Sequence, residues 1–180
     1  SPSLVLEGDE IYMAYISRNP NTGVSSLVYA YPDPSPTNPC KAGRLYQCDI
    51  VTTFNGLSGT PSLRKMGDTF GIAYYDPDKS AVMYAYETSN PLYPPNCGAM
   101  GSYRCLEIYS ADEIGKSPQL DFGSAVAERG IVLDRDDTIV GHKLFYADYV
   151  GTGGSCGLDS GLMGGIYRYD CYAIADLTYT

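Results

Sequence analysis

Residues 61–86 read PSLRKMGDTFGIAYYDPDKSAVMYAY and carry the clearest structural signal in the chain. Three short runs, at 62–66, 69–75 and 81–86, are rich in aromatic and aliphatic residues. They are separated by GD at 67–68 and by DPDKS at 76–80, compositions that favour tight turns. The stretch therefore predicts three strands that pair as an antiparallel meander.

The markers in this stretch occur three times along the chain. The copies of the first marker are Pro2-Ser3-Leu4, Pro61-Ser62-Leu63 and Pro118-Gln119-Leu120. The copies of the second are Tyr29-Ala30-Tyr31, Tyr84-Ala85-Tyr86 and Tyr146-Ala147-Asp148. Markers that return in one order three times indicate a repeat protein of three successive units.

Each unit is predicted to hold four antiparallel strands and no helix. The predicted strands are residues 2–6, 10–16, 26–31 and 45–52, then 62–66, 69–75, 81–86 and 103–109, then 119–122, 129–134, 143–148 and 167–174. Repeated four-stranded antiparallel units are typical of β-propeller blades. The predicted fold is therefore all-β, with three blades in one repeat domain, at 1–58, 59–115 and 116–180.

Three blades do not close a ring, since propellers usually have four to eight. We therefore expect either two chains that pair into a six-bladed ring or a chain that is part of a longer propeller. The chain begins at Ser1 without Met, which suggests a processed or excerpted polypeptide.

Several motifs resemble those of a bacterial extracellular β-propeller repeat family. They are LYQCDIV at 45–51, GTPSL at 59–63, IAYYD at 72–76 and VMYA at 82–85. The resemblance spans all three units and is weakest at GIVLD, residues 130–134. It implies the blade fold and an extracellular setting, and it implies nothing about activity, because propellers carry many unrelated functions.

The six cysteines fall into three close pairs, which are Cys40 with Cys48, Cys97 with Cys105, and Cys156 with Cys171. Neither their spacing nor the single histidine is typical of a zinc site. We therefore expect three local disulfides and an oxidising location, either secreted to the cell exterior or periplasmic.

Composition restricts the partners. The net charge is −9 with only 12 Lys and Arg, so a nucleic acid is not expected as a partner, since phosphates are bound by basic side chains. No apolar run approaches the roughly 18 residues that a membrane-spanning helix needs, so no membrane span is predicted. The chain has 18 Tyr, 4 Phe and no Trp, so tyrosine must supply most aromatic contacts.

The segments between the third and fourth strands are the candidate binding surface. These segments, 32–44, 88–102 and 149–165, contain or adjoin the paired cysteines, and a crosslinked loop is ordered before it binds. Tyrosines in or beside them that could stack on a sugar or a partner chain are Tyr93, Tyr103, Tyr149 and Tyr167. The alternative is that the disulfides only stabilise long hairpins.

Acidic turns offer a second candidate site. Asp76 and Asp78, and Asp134 and Asp136, are predicted at equivalent places between second and third strands, where alternating carboxylates could bind Ca²⁺. The first unit lacks this pattern, and hairpin turns favour Asp for local hydrogen bonds in any case. No other cofactor is expected.

No catalytic residues are predicted. The string GLDSG at 157–161 has a loop composition, and the acidic pairs lie in predicted turns. The leading hypothesis is a non-catalytic extracellular module that binds a glycan or an extracellular protein through its disulfide-braced loops. One alternative is a structural subunit that assembles through blade edges into rings or filaments. Another is part of a secreted glycoside hydrolase, because propellers can carry paired carboxylates.

Overall fold

The computed structural model describes residues 1–40, 45–66, 69–99, 101–110, 116–122, 129–137, 141–159 and 166–177, which form thirteen β-strands and no helix. Sheet 1 contains β1 (Ser3–Glu7), β2 (Glu10–Arg18), β3 (Val24–Pro32) and β4 (Tyr46–Asn55). Sheet 2 contains β5 (Ser62–Met66), β6 (Thr69–Asp76), β7 (Ala81–Glu87) and β8 (Tyr103–Ser110). Sheet 3 contains β9 (Gln119–Phe122), β10 (Arg129–Asp137), β11 (Gly141–Tyr149), β12 (Cys156–Asp159) and β13 (Ile166–Leu177).

The all-β prediction is confirmed, and each of the twelve predicted strands is present. Sheets 1 and 2 are antiparallel meanders in chain order. The prediction of four strands in the third unit is wrong, because β12 adds a fifth strand outside β13. In sheets 1 and 2 the corresponding segment makes only an isolated bridge, Pro39 to Gln47 and Cys97 to Tyr103. The fifth strand thus extends a pairing that all three units share.

The repeat also appears in the strand register. A shift in pairing occurs in the third strand of each unit, between Leu27 and Val28, between Val82 and Met83, and between Leu144 and Phe145. In each unit the shift falls between the two residues that precede the Tyr-Ala marker. Such irregularities increase local twist, so the three sheets twist at the same place.

The sheets stack in chain order, and each uses one face toward the next sheet. We call the face toward the following sheet the front and the opposite face the back. The front of sheet 1, with Ala14, Leu27 and Tyr29, packs in one cluster with Ile72 and Met83 from the back of sheet 2. The front of sheet 2 packs in the same way on sheet 3. The residues in that second cluster are Ala73, Tyr75, Val82, Tyr84, Leu106 and Ile108 with Leu120, Ala147, Cys156 and Tyr169.

The serine of the Pro-Ser-Leu marker joins the first strands of adjacent sheets. The Leu63 N–H donates to Ser3 Oγ at 3.0 Å, and the Leu120 N–H donates to Ser62 Oγ, also at 3.0 Å. Lys65 adds an ion pair to Glu7 at 2.6 Å across the first junction. In the second unit the marker thus supplies both a leucine buried against sheet 1 and the acceptor for sheet 3.

The three predicted disulfides are confirmed: Cys40–Cys48, Cys97–Cys105 and Cys156–Cys171. Each ties the segment before the fourth long strand to that strand. Side chains reinforce the crosslinks, since the Cys105 N–H donates to Asn96 Oδ1 at 2.6 Å and the Cys171 N–H donates to Ser155 Oγ at 3.1 Å. Three disulfides indicate an oxidising compartment. Among the described residues, none forms a helix of the length and apolarity needed to cross a bilayer.

Candidate ligand-binding site

A cavity of about 290 Å³ lies where the front of sheet 1 meets sheet 2. It is bounded mainly by aromatic rings, with one carboxylate. Its lining residues are Tyr12, Tyr29, Tyr31, Thr69, Phe70, Ile72, Glu87 and Tyr103. The cavity is placed by strand alternation: Met13 pairs with Ala30, so their neighbours Tyr12, Tyr29 and Tyr31 lie on the opposite face and share it.

The aromatic rings of the cavity form a continuous wall. Tyr12 of β2 stacks on Phe70 of β6 with ring centroids 4.4 Å apart and an interplanar angle of 24°. Tyr29 lies 5.7 Å from Phe70 and 5.2 Å from Tyr31. Offset and tilted contacts at these distances are favourable. The wall thus joins the two sheets and presents apolar ring surface with phenol groups at its border.

Asp49 is the polar centre beside this wall. Its Oδ2 accepts hydrogen bonds from the hydroxyls of Tyr31 and Tyr103, each at 3.3 Å, and its Oδ1 accepts from Gln47 Nε2 at 2.7 Å. Tyr103 belongs to sheet 2, so this carboxylate links the two sheets as well as ordering the tyrosines. A carboxylate has about four acceptor positions, and three hydrogen bonds occupy most of them.

The phenols remain neutral at ordinary pH. Burial raises the pKa of Tyr31 to about 12, and the negative charge of Asp49 adds to the effect. Burial likewise raises the pKa of Tyr29 and of Tyr103, with the same carboxylate as a further cause. Each phenol therefore stays a hydrogen-bond donor next to Asp49.

Two further cavities adjoin this one along the segment crosslinked by Cys97–Cys105. One, of about 220 Å³, shares Tyr103 and is lined by Asn38 and Ala99 from the two crosslinked segments. The other, of about 440 Å³, shares Thr69 and Glu87 with the first and continues along 88–102. The Ala99 N–H donates to the Ile50 carbonyl at 3.1 Å, which holds the crosslinked segment against sheet 1. Together the cavities form a groove beside a preorganised loop.

The equivalent junction between sheets 2 and 3 is packed with apolar groups. Leu106 occupies the position of Asp49 and is 4% exposed, while Tyr84 and Tyr169, at the positions of Tyr29 and Tyr103, are fully buried. Gly71 occupies the position of Tyr12, and a Cβ there would collide with the Tyr84 ring. The carboxylate and the extra tyrosine are therefore departures from the repeat that are confined to the first junction.

The structure places the four predicted binding tyrosines differently. Tyr103 lines the groove from the first position of strand β8, directly after the 88–102 segment, and at 5% exposed its side chain is buried in the groove wall rather than exposed on the loop. Tyr93 lies under the Arg104 guanidinium, with 5.9 Å to the ring centroid, and is half-buried. Tyr149 and Tyr167 lie in strands of sheet 3, and their side chains are outside the described part.

The sequence did not single out Tyr12, Tyr31, Phe70 or the two carboxylates. Tyr31 was visible only as part of the Tyr-Ala-Tyr marker and Phe70 only as part of the predicted strand at 69–75, which suggested structural roles. The signal that could have found the site is the mismatch between repeats, because Tyr12 stands where the second unit has Gly71. Residues that break a repeat without breaking its fold are candidates for function.

Of the two predicted acidic turns, the structure contains one. Asp76 ends β6 and Asp78 lies in the turn that follows. Both carboxylates accept backbone hydrogen bonds, since the Asp78 N–H donates to Asp76 Oδ1 and the Asn55 N–H donates to Asp78 Oδ2, each at 3.0 Å. Burial raises the pKa of Asp76. Asp134 and Asp136 are not in a turn, because β10 continues to Asp137 through pairing with β11.

Among the described residues, no group of three or more His, Cys, Asp or Glu side chains is arranged to hold a metal ion. Calcium binding stays a prediction. That the protein has no catalytic residues also stays a prediction. The groove holds two carboxylates, Asp49 on sheet 1 and Glu87 on sheet 2.

Comparison of the chain with protein-family models, with curated protein sequences and with solved structures found no match. The features of the chain that bear on function are the groove, its tyrosine wall and the residues that distinguish it from the second junction.

Proposed function

We propose that the three sheets are successive blades of a β-propeller and that the chain is an extracellular, non-catalytic module that binds a neutral glycan. The glycan lies in the groove at the first junction, with one sugar ring on the tyrosine wall. The observation that carries the proposal is the stacked pair Tyr12–Phe70 beside a carboxylate that orders two phenols.

The chemistry of the groove matches a hydroxylated ring. Aromatic faces supply apolar contact, while phenols and carboxylates supply the few placed polar groups that fix a ligand's orientation. Asp49 and Glu87 only accept hydrogen bonds when ionised, so they favour hydroxyl donors. A net charge of −9 and two carboxylates at the groove disfavour an acidic sugar or a phosphate. The proposed ligand is therefore a neutral rather than an acidic sugar.

The size of the groove sets the length of ligand. The first cavity, about 290 Å³, is at the lower end of ligand sites and accommodates a single ring. The cavity of about 440 Å³ shares Thr69 and Glu87 with it, so further rings extend along the 88–102 segment. Because the Cys97–Cys105 crosslink orders that segment in advance, binding costs little ordering entropy.

The test is a calorimetric titration of the chain with neutral oligosaccharides of two to six rings and with uronate-containing oligosaccharides of the same lengths. We expect neutral chains alone to bind, with a gain in affinity from two rings to four. Tyr12→Ala should weaken binding about tenfold or more, since a stacked ring contributes on the order of 1 kcal/mol beyond its buried area.

Tyr93→Ala is the matched control, because this tyrosine belongs to the crosslinked segment but packs under Arg104 rather than lining the groove. It should leave the affinity unchanged. Equal losses for Tyr93→Ala and Tyr12→Ala would place the ligand outside the groove. Binding of none of the oligosaccharides would rule out the proposed function.

A further inference from the structure

The back face of sheet 1 is an apolar surface whose counterparts on the other sheets are covered. Its residues include Leu4 and Leu6 of β1 and Met13 of β2, with Val28 and Ala30 of β3 beneath. The cluster on this face consists only of residues from sheet 1. In sheets 2 and 3, the face with the same residue pattern packs against the preceding sheet.

The leucine of the repeated marker shows the difference directly. Leu63 is 0% exposed and Leu120 is 1% exposed, because each is covered by the front of the sheet before it. Leu4 occupies the same position and is 56% exposed. Leu6 is 69% exposed where the second sheet has Lys65, which pairs with Glu7. The back of sheet 1 thus has the form of a junction surface without its partner.

The front of sheet 3 has the complementary form. Tyr146, at the position of the buried Tyr29 and Tyr84, is half-buried, and its ring lies 5.6 Å from that of Tyr172, which is 48% exposed. Gln119 stands where the other units have the serine that accepts a hydrogen bond from the next sheet, and it is exposed. Its amide carbonyl oxygen is an acceptor of the same kind.

We propose that the back of sheet 1 binds the front of sheet 3 of a second copy of this chain, which continues the sheet stack head to tail. The Leu4 side chain then packs where Leu63 packs at the first junction. The Leu4 N–H donates to Gln119 of the second copy, as the Leu63 N–H does to Ser3. This contact is heterologous, since each copy contributes a different face.

The occupant follows from continuity with the two internal junctions. Both internal junctions join a front face to a back face, and the chain presents one of each at the ends of its stack. A second copy therefore offers the back of sheet 1 the same kind of front face that covers the backs of sheets 2 and 3. The proposal does not depend on the glycan site, which lies at the first internal junction.

The test combines two single variants of the whole chain, measured by multi-angle light scattering over a micromolar concentration range. Leu4→Asp alters the back of sheet 1, and Tyr172→Asp alters the front of sheet 3. Both side chains are exposed in the single chain, so each variant should fold, which circular dichroism and thermal unfolding check. The control is Leu92→Asp, a 71% exposed leucine in the 88–102 segment.

We expect the wild-type chain and Leu92→Asp to associate with the same affinity. Leu4→Asp and Tyr172→Asp should each associate on the order of 100-fold more weakly, because a charge enters an apolar contact. An equimolar mixture of the two variants should form a pair, since the mixture retains one intact head-to-tail contact. If both variants weaken association, a wild-type mass of two chains indicates a ring closed by the proposed contact, and a longer series indicates an open stack.

Three outcomes would overturn the proposal. A monomeric wild-type chain at tens of micromolar would show that the face does not bind a second copy. Association that Leu4→Asp abolishes and Tyr172→Asp leaves unchanged would show a symmetric back-to-back contact instead. A mixture of the two variants that stayed monomeric would lead to the same rejection.

Discussion

Replacing Ser62 by alanine tests how the sheets are held in register. Ser62 is 3% exposed, and its hydroxyl oxygen accepts the Leu120 N–H at 3.0 Å in a fully buried position. Alanine removes the acceptor but leaves the backbone and almost all of the side-chain volume. The Leu120 N–H then lies buried without that partner, which costs about 1–3 kcal/mol in the free energy of unfolding. The repeat supplies a matched variant, Ser3→Ala.

Ser3 makes the same bond to the Leu63 N–H at 3.0 Å, but its surroundings are only partly buried. Water can replace the lost acceptor there, so Ser3→Ala should cost about 0.5–1 kcal/mol. Denaturant unfolding with intact disulfides measures both losses. Amide hydrogen exchange then locates them, since the Leu120 N–H should exchange faster in Ser62→Ala and the Leu63 N–H should not. Equal stability of wild type and Ser62→Ala, within about 0.3 kcal/mol, would refute the assignment of the marker serine to the junction.

Two further predictions address the junctions. Gly71→Ala should destabilise the chain by about 1–3 kcal/mol in denaturant unfolding, because its Cβ would collide with the fully buried Tyr84 ring. Gly8→Ala is the control and should cost less, since no atom lies within 4 Å of its Cβ and the only strain is the positive φ of 59°. Tyr31→Phe should reduce alkaline destabilisation: burial and Asp49 raise the pKa of Tyr31 to about 12, above the unfolded value of about 10, so the stability it contributes is present below pH 10 and is lost as the pH rises toward 12. Unfolding free energies across that range should fall less steeply in Tyr31→Phe than in the parent, and equal slopes would argue against a phenol kept neutral by partial burial and Asp49.

The repeat allowed the sheets to be predicted because local signals and pairing agreed. Residues 62–66 and 119–122 were predicted with the bounds that the structure shows, since a Gly-Asp turn or a proline limits each run. Where the local composition predicted a turn but strand pairing was possible, the structure has the paired strand. The run DRDD at 134–137 has the composition of a turn, yet its backbone pairs with Gly141–Leu144 and extends β10.

Strand β12 could not be predicted from its own residues. CGLD at 156–159 shows no alternation, and its neighbours are glycine and serine. Its strand conformation comes from β13, which supplies the ladder, and from the Cys156–Cys171 crosslink, which holds the two together. Gly154 is needed at its start, because a Cβ there would collide with the backbone of Tyr169. Partner and crosslink, rather than propensity, create this strand.

The candidate site was harder to predict than the sheets for a related reason. A repeat predicts what the units share, whereas the groove depends on what the first junction does not share with the second. In the second unit, Leu106 stands at the position of Asp49 and Gly71 at the position of Tyr12. The first difference replaces a carboxylate by a buried apolar side chain, and the second leaves room for the Tyr84 ring. A single sequence shows these differences but not that the two positions face one another across a junction, since Asp49 meets Tyr103 only through the stacking of two sheets. Among the described residues of the second junction, Leu106 and the fully buried Tyr84 fill the space where the first junction has Asp49 and Tyr12, and this difference is what supports the proposed ligand site.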